Sequence, residues 1–361
     1  MLITRLSLLN FRNFETLTFD FSNGINFILG ENASGKTNLI EAIYYLSSTR
    51  SFKRNNDRDL VNFNKKFASL GLNYSSLKEG NHSLKIDILE QGKIVYVDDD
   101  KQKSVMSVIG KLPVIAYDPY STFLFRDDPQ SRRKMIDESL STISQNYLYS
   151  LARYKKLLKE RNIALNQHYD EDVIDVLTEE LIKLSYVITK ERIKFIEDIN
   201  RFIAPIYKEI FDKSDELRLD YITNVKFDEN YEEFFKKNKT QFDLYKTEER
   251  IKCVTLLGNH RDDLVAYIGK KNVAIYCSQG QNRLVTLALK FALGKLYEKK
   301  FGEQPIFLLD DVLSDLDEER KENIILYLKK QGQVFITGTK EIESIQNVYE
   351  LKDSKLTRKE R

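Results

Sequence analysis

The chain of 361 residues holds only two cysteines, Cys253 and Cys277, and three histidines, His82, His168 and His260. The cysteines have neither metal-ligand spacing nor the density of a disulfide framework, which fits a reducing cytosol. The histidines stand too far apart to suggest a zinc site. No apolar run reaches the ~18 residues of a membrane-spanning helix. The N-terminus, MLITRLSLLNFRNF, has no basic region followed by a long apolar core, so it does not read as a signal peptide. A cytoplasmic protein that engages no membrane is expected. Net charge is almost absent as well: 57 basic residues against 55 acidic ones leave +2. That excludes a histone-like polycation. Any contact with nucleic acid has to come from a local patch, or from two copies whose fields add. What the chain does have is apolar residues at 42%, enough for a core, and charged residues at 31%, as on a helix-rich surface. The length suggests two domains or one large composite one.

Three strands are expected in residues 2–30. Leu2, Ile3, Leu6 and Leu8 alternate imperfectly with polar residues, Leu17, Phe19 and Phe21 alternate cleanly, and Ile25, Phe27 and Leu29 run up to Gly30. A helix should follow from about Thr37 to Leu46. More strands are expected in 67–98 and a last one over Leu112–Tyr117. From Pro129 to Ile210 glycine is missing and apolar residues recur every three or four positions. Ile136, Leu140, Ile143, Tyr147, Leu151, Tyr154 and Leu158 make one such series, and Leu177, Leu181, Leu184 and Ile188 another. This predicts two long helices, broken near Asn166–Asp172, that pack on each other. Residues 212–250 fit no single pattern. The tail SKLTRKER is expected to be disordered.

Three motifs carry chemistry. Gly30-Glu31-Asn32-Ala33-Ser34-Gly35-Lys36-Thr37 matches G-x-x-x-x-G-K-[ST]. Its glycines allow the backbone to wrap phosphates, and its N–H groups and the following helix dipole favour negative charge. Lys36 is expected to reach the β- and γ-phosphates and Thr37 to hold Mg²⁺, with Asn38 next in the same cradle. A chance match is disfavoured by the apolar INFIL before it and the amphipathic NLIEAIYYL after it. Second, Pro305–Leu309 is an apolar strand ending in Asp310 and Asp311, the layout of a Walker B strand. Asp310 is expected on Mg²⁺ and Asp311 beside the attacking water, so that Lys36 and Asp311 are the expected catalytic residues. Taken alone, this is also how a buried strand with an acidic turn looks. Third, Ser278-Gln279-Gly280-Gln281-Asn282-Arg283 opens a helix and resembles the ABC signature loop, which caps a nucleotide held by another subunit. By itself SQGQ could be any polar turn or N-cap. Ser314-Asp315-Leu316-Asp317 resembles a D-loop.

In order and wording these blocks, with LLNFRNF, PQSRRKMID, Gly258-Asn259-His260-Arg261-Asp262-Asp263 and QVFITGT, resemble the RecF family of ABC-type ATPases with SMC-like heads. The matching blocks span about residues 6 to 339. The resemblance implies an α/β P-loop NTPase head built from both chain ends, residues 1–118 and 251–348, with an α-helical lobe inserted over 119–250 and a tail at 349–361. It implies ATP and Mg²⁺ as cofactors, and Arg12 and Asn13 near the adenine. It also implies an ATP-dependent homodimer that binds DNA and works with RecO and RecR to load recombinase at gaps, in DNA replication, repair and SOS induction. Four departures stand out. Asp311 occupies a position where most ABC ATPases have Glu, and Thr339 lies nearest their histidine, so slow, switch-like hydrolysis is expected. Asn259 replaces a usual proline, and Tyr120 stands where an acid is common, which leaves the Q-loop to be sought near Asp118.

Other readings share some of these features. In a transporter ATPase the signature follows the P-loop much sooner than the 242 residues between Lys36 and Ser278. A P-loop kinase needs neither SQGQNR nor a D-loop. A scaffold that holds ATP as a structural ligand would tolerate Asp311 and Thr339. Basic clusters at Arg50–Arg54, Arg153–Arg161 and Lys190–Lys194 fit solvated faces singly, and a phosphate-directed DNA groove if two heads close. The residues do not choose between single and double strands.

Overall fold

The first strand, β1 (Leu2–Phe11), turns tightly into β2 (Phe14–Asp20), and β3 (Ile25–Leu29) runs into helix α1 (Lys36–Ser48). In this computed structural model the described residues are 1–53, 56–211, 216–314 and 316–359. The chain continues through β4 (Ala68–Ser76), β5 (Gly80–Leu89), β6 (Gly92–Val97), β7 (Asp100–Lys101) and β8 (Val114–Tyr117). Next come α2 (Pro129–Ile143), α3 (Gln145–Asn166), α4 (Glu171–Phe211), β9 (Leu217–Ile222) and α5 (Tyr231–Lys252). Then follow β10 (Asp263–Ile268), β11 (Lys271–Asn272), α6 (Val273–Tyr276) and α7 (Gln279–Phe301). The last elements are β12 (Ile306–Leu309), α8 (Glu318–Lys329), β13 (Val334–Gly338), β14 (Asn347–Lys352) and β15 (Lys355–Arg358).

Two compact units result. One holds Met1–Thr122, Glu209–Asp212 and Leu287–Arg361, the other Phe123–Lys208 and Lys213–Thr286. The first unit contains two six-stranded sheets. One is antiparallel, in the order β2-β1-β4-β5-β6-β7, and the imperfect alternation of β1 has its cause there: the register against β4 shifts between Ile3 and Arg5. The other has the order β15-β14-β3-β13-β12-β8, parallel except at β15. Its inner strands are continuous apolar runs because both faces are covered; Ile306, Phe307, Leu308 and Leu309 are all fully buried. Ile306 and Leu308 share a core with Leu39, Ile43 and Leu46 of α1 and with Leu6, Leu8, Leu70 and Ile86 of the antiparallel sheet.

The second unit combines α2 to α6 with the small sheet β11-β10-β9. The expected first long helix is two helices. Ser144 adopts an extended conformation at φ −138°, closes α2 with its backbone N–H on the Leu140 carbonyl, and caps α3 by accepting from Tyr147 N. Apolar spacing continues across this break, so periodicity could not locate it. Pro205 lies inside α4, close to its far end. The ambiguous stretch after residue 212 resolves into β9 and α5.

Two boundaries differ from the sequence reading. The C-terminal part of the first unit begins near Leu287, not at 251, because β10 pairs along its length with β9 and draws 251–286 into the second unit. The tail placed at 349–361 instead continues a hairpin, and of the segment SKLTRKER, expected to be disordered, Lys355–Arg358 form β15. β14 adds to β3, and Leu356 of β15 is buried opposite Leu351. Alternate apolar residues in VYELKDSKLT were the available signal. Among the described residues no helix is long and apolar enough to cross a membrane.

Candidate functional site

The loop between β3 and α1 is shaped by its glycines. Gly35 has φ +105°, and a Cβ there would lie 2.5 Å from Asn13 Nδ2. A Cβ on Gly30 would lie 2.7 Å from Ser34 Oγ and 2.8 Å from the Leu351 carbonyl. Gly30 N–H donates to the Gly338 carbonyl at 3.2 Å, which ties the start of the loop to β13. Gly35 caps α1 without a side chain, so the first-turn N–H groups have no side-chain acceptor. Ser34 Oγ is buried, and among the described residues it has no hydrogen-bond partner. Lys36 is nearly buried, and its ammonium donates to the Gly30 and Glu31 carbonyls at 2.7 and 2.6 Å. Burial lowers its pKa, while Asp310 and Asp311 oppose that shift. Bare N–H groups, an unpartnered hydroxyl and a desolvated ammonium around a loop with no room for a Cβ fit a phosphate chain. Glu31, Asn32 and Ala33 form the exposed rim.

Beside this loop the structure brings Thr37, Asp310 and Asp311 together. Thr37 Oγ1 donates to Asp310 Oδ2 at 2.7 Å. Thr337, at the end of β13, donates to Asp310 Oδ1 at 2.7 Å and accepts the Asp311 N–H at 2.9 Å. Asp310 is buried at the end of β12, and its own N–H is held by the Tyr117 carbonyl at 2.8 Å. Asp311 is exposed and left-handed at φ 50°. A threonine hydroxyl and a buried carboxylate in contact at the foot of this loop are hard oxygen donors of the kind that suit a magnesium ion. Thr337 escaped the sequence reading, which looked two residues further on; Thr339 is exposed.

Arg12 and Asn13 form the β1–β2 turn. Asn13 lies against the loop. It accepts from Asn38 Nδ2 at 2.8 Å, donates to Ser354 Oγ at 3.0 Å and reaches the Ser34 carbonyl at 3.5 Å. Arg12 is fixed by Glu41, a fully buried carboxylate on α1, through Nε at 3.0 Å and Nη2 at 2.9 Å. Ser51 donates to the same carboxylate, and Lys53 lies 3.5 Å from it while bonding Asn38 Oδ1 at 2.9 Å. Glu41 and Ser354 were also missed. An acid inside the apolar stripe NLIEAIYYL was the one sign of the first, and nothing local marked the second.

The signature turn belongs to the second unit. Ser278 caps α7 as half of a capping box: its Oγ accepts from Gln281 N at 3.2 Å, and Gln281 Oε1 accepts from Ser278 N at 2.8 Å. Ser278, Gln279, Gly280 and Gln281 are exposed, whereas Asn282 and Arg283 are buried. In the D-loop segment, Ser314 donates to the Asp311 carbonyl at 3.2 Å and Asp317 caps α8; Asp315 lies outside the described residues. Near the sought Q-loop, Asp118 accepts from Ser121 N at 3.0 Å, and Tyr120 is exposed. Of the basic clusters, Arg153 pairs with Glu180 and Lys155 with Asp137, while Lys190 lies over the Tyr186 ring; Arg54 is outside the described residues.

The Gly258–Asp263 motif builds a buried polar centre in the second unit. Arg192 of α4 bonds Asp137 at 2.7 Å, Asp262 at 2.8 Å, Tyr147 Oη at 3.0 Å and the Asn259 carbonyl at 3.0 Å. Burial pushes the Asp137 carboxyl up, and Arg192 and Lys155 overcome it and hold it below the usual range. Asn259, the departure from proline, uses its amide here, donating to Thr189 Oγ1 at 2.7 Å and Asp262 at 2.9 Å. Burial lowers the His260 pKa to about 4, leaving a neutral ring whose Nε2 meets the Thr255 carbonyl at 3.0 Å and whose Nδ1 meets Tyr154 Oη at 2.9 Å.

The family model described as the RecF/RecN/SMC N terminal domain matches residues 2–357. A DNA replication and repair protein RecF of Geobacillus sp. (strain WCH70) is 36% identical over 354 residues, covering 96% of this chain and 94% of that one. A solved structure described as the recombination mediator protein RecF-ATP in the RecFOR pathway superimposes with a TM-score of 0.93 at 28% identity, covering 99% of this chain and 98% of that one. An Smc head bound to the C-winged helix domain of ScpA shares the fold, with a TM-score of 0.59 at 17% identity over 99% of this chain and 97% of that one. The architecture is an ABC-type head with a helical second part.

Proposed function

The chain belongs to the RecF/RecN/SMC N-terminal domain family, and on that premise we propose that it is an ATP-dependent DNA-binding protein of recombinational repair whose ATP hydrolysis works as a switch. The observation that carries this reading is the continuous hydrogen-bonded chain Thr37–Asp310–Thr337–Asp311 at the foot of the phosphate loop. Bound Mg-ATP supplies the phosphoanhydride to be cleaved and a cation that neutralises its developing charge.

The protein's residues divide the work. Residues 30–37 hold the phosphates through backbone N–H groups, and Lys36 exchanges two carbonyl oxygens for phosphate oxygens. Thr37 and Asp310 hold the cation. Asp311 orients the attacking water and takes its proton, and Thr337 fixes both acids. Asn13 and Asn38 steady the loop, with Arg12 and Asn13 toward the base. The exposed Ser278–Gln281 turn is offered to the nucleotide of a second copy, so that two heads close on two ATP molecules. The short reach of Asp311 and the absence of a histidine beyond β13 support slow turnover. Named relatives act in DNA replication and repair and in the RecFOR pathway. By that likeness the chain binds gapped, single- or double-stranded DNA, meets RecR and RecO, and assists recombinase loading and SOS induction.

The test is the mass of the protein in solution with and without Mg-ATP, for wild type, Lys36→Arg and Ser278→Arg. ATP is expected to double the mass of wild type alone, while Ser278→Arg still binds nucleotide. ATP binding with no change of mass, even with DNA present, sinks the closing of two heads. Turnover that survives Asp311→Asn sinks the assigned base.

A further inference from the structure

The polar centre of the second unit, together with its rim, carries more positive charge than its own carboxylates neutralise. Arg132 is spent on Asp263, with Nε to Oδ1 at 2.7 Å and Nη2 to Oδ2 at 3.0 Å. Arg192 is spent on Asp137 and Asp262, and Lys155 shares Asp137 at 3.0 Å. His260 is a neutral ring. Two guanidiniums remain. Arg133 donates through Nη1 to the Asp262 carbonyl at 2.6 Å, and Arg261 through Nη2 to the Thr255 carbonyl at 3.2 Å. Among the described residues neither has a carboxylate within ion-pair distance. Five cations thus face three carboxylates, and the surplus falls on Arg133 and Arg261.

These two arginines belong together. Arg133 binds the carbonyl of the residue that follows Arg261, and both disfavour protonation of His260. Arg261 is exposed, whereas Arg133 is half-buried; burial and Arg192 lower its pKa, and Asp263, Asp262 and Asp137 oppose that shift without any of them forming an ion pair with it. Each is pinned by a backbone carbonyl: that of Asp262, whose side chain is paired with Arg192, and that of Thr255, whose N–H and hydroxyl donate to Asn162, so little freedom remains to be lost on binding. Partly desolvated like charges on a rigid frame are costly unless an anion completes them. Guanidinium donors in fixed positions match phosphate oxygens.

We propose that Arg133 and Arg261 form a phosphate-binding pair that grips the sugar-phosphate backbone of DNA. The proposal rests on the DNA-binding reading above and adds where that contact is made. Such contacts set affinity and salt dependence and carry no sequence preference.

The test uses the full chain, a fluorescent 30-base-pair duplex and a fluorescent ATP analogue. Binding of each is measured over a series of salt concentrations. Arg261→Gln, an exposed position, is expected to weaken DNA binding several-fold and to lower the slope of log affinity against log salt by about 0.9, one phosphate contact. Arg261→Lys should restore part of both. The double variant with Arg133→Gln should lower the slope by about 1.8. ATP affinity and the melting temperature of Arg261→Gln should equal those of wild type. Wild-type slope in Arg261→Gln overturns the proposal, whatever the affinity. Lost ATP affinity with unchanged DNA binding also overturns it and assigns the pair to a nucleotide phosphate. If wild type binds no DNA at all, the DNA-binding reading falls together with this one; if wild type binds and the variants match it, only the proposal falls.

Discussion

The Thr337 hydroxyl donates to Asp310 Oδ1 at 2.7 Å and accepts the Asp311 N–H at 2.9 Å, so one side chain fixes both acids at the end of β12. The link runs between parallel neighbours: Leu309 of β12 pairs with Ile336 of β13, one residue before each partner. Asp310 also accepts from Thr37, and its carboxylate is therefore held between α1 and β13.

Thr337→Val removes the donor and keeps the shape. It should cost about 1–3 kcal/mol of stability, since it leaves a buried carboxylate oxygen unsatisfied. In turnover assays kcat should fall by about ten- to a hundredfold with little change in KM, because Thr337 acts through the two acids. Thr337→Ser should recover most of the rate. Equal changes in kcat and KM, or no rescue by serine, would assign the residue a purely structural role.

Glu41 is fully buried and carries Arg12, Lys53 and Ser51. Removing one partner of a buried ion pair leaves the other charge uncompensated, at about 3–5 kcal/mol. Glu41→Ala should lose that much in urea unfolding and should loosen Arg12, raising the Kd for ATP. A double variant with Arg12→Met should regain part of the stability but not the affinity.

His260 gives the protein an acid-sensitive window. Burial holds its folded pKa near 4, against 6.5 when unfolded, in the field of Arg261, Arg133 and Asp262. The unfolded chain binds the extra proton first, so stability is complete above pH 6.5 and falls as pH drops toward 4. The full effect is about 3 kcal/mol. Urea unfolding at pH 7 and at pH 4.5 should differ by most of this for wild type and by much less for His260→Gln. An equal pH dependence in both proteins would refute the assignment.

The β14–β15 turn reaches Asn13, which lies against the loop between β3 and α1. Ser354 Oγ donates to the Asn13 carbonyl at 3.0 Å and accepts from Asn13 Nδ2 at 3.0 Å. Ser354→Ala should weaken ATP binding by about three- to tenfold, the worth of one or two modest hydrogen bonds, without lowering the melting temperature measurably. Titration with a fluorescent ATP analogue decides the matter; unchanged affinity means that the turn only covers the sheet edge.

By itself the sequence determined the features that depend on neighbours in the chain. Gly30 and Gly35 at fixed spacing shape the tight loop between the strand that enters and the helix that leaves. IFLLDD makes a buried strand with an acidic end, because apolar runs need cover on both faces. The long apolar periodicities made helices α2, α3 and α4. Tertiary structure decided what depends on partners far along the chain. The contact of Thr37 with Asp310 joins residues 273 positions apart, and the bond between Ser354 and Asn13 joins residues 341 apart. The tail strand β15 became ordered because β14, itself added to the edge of β3, offered it a pairing partner, which no local propensity encodes. Residues 251–286 joined the helical unit because β10 found its pairing partner in β9. The choice of Thr337 over Thr339 was made by which strand end lies beside Asp310, and the surplus charge at Arg133 and Arg261 emerged only when the carboxylates around them were already taken.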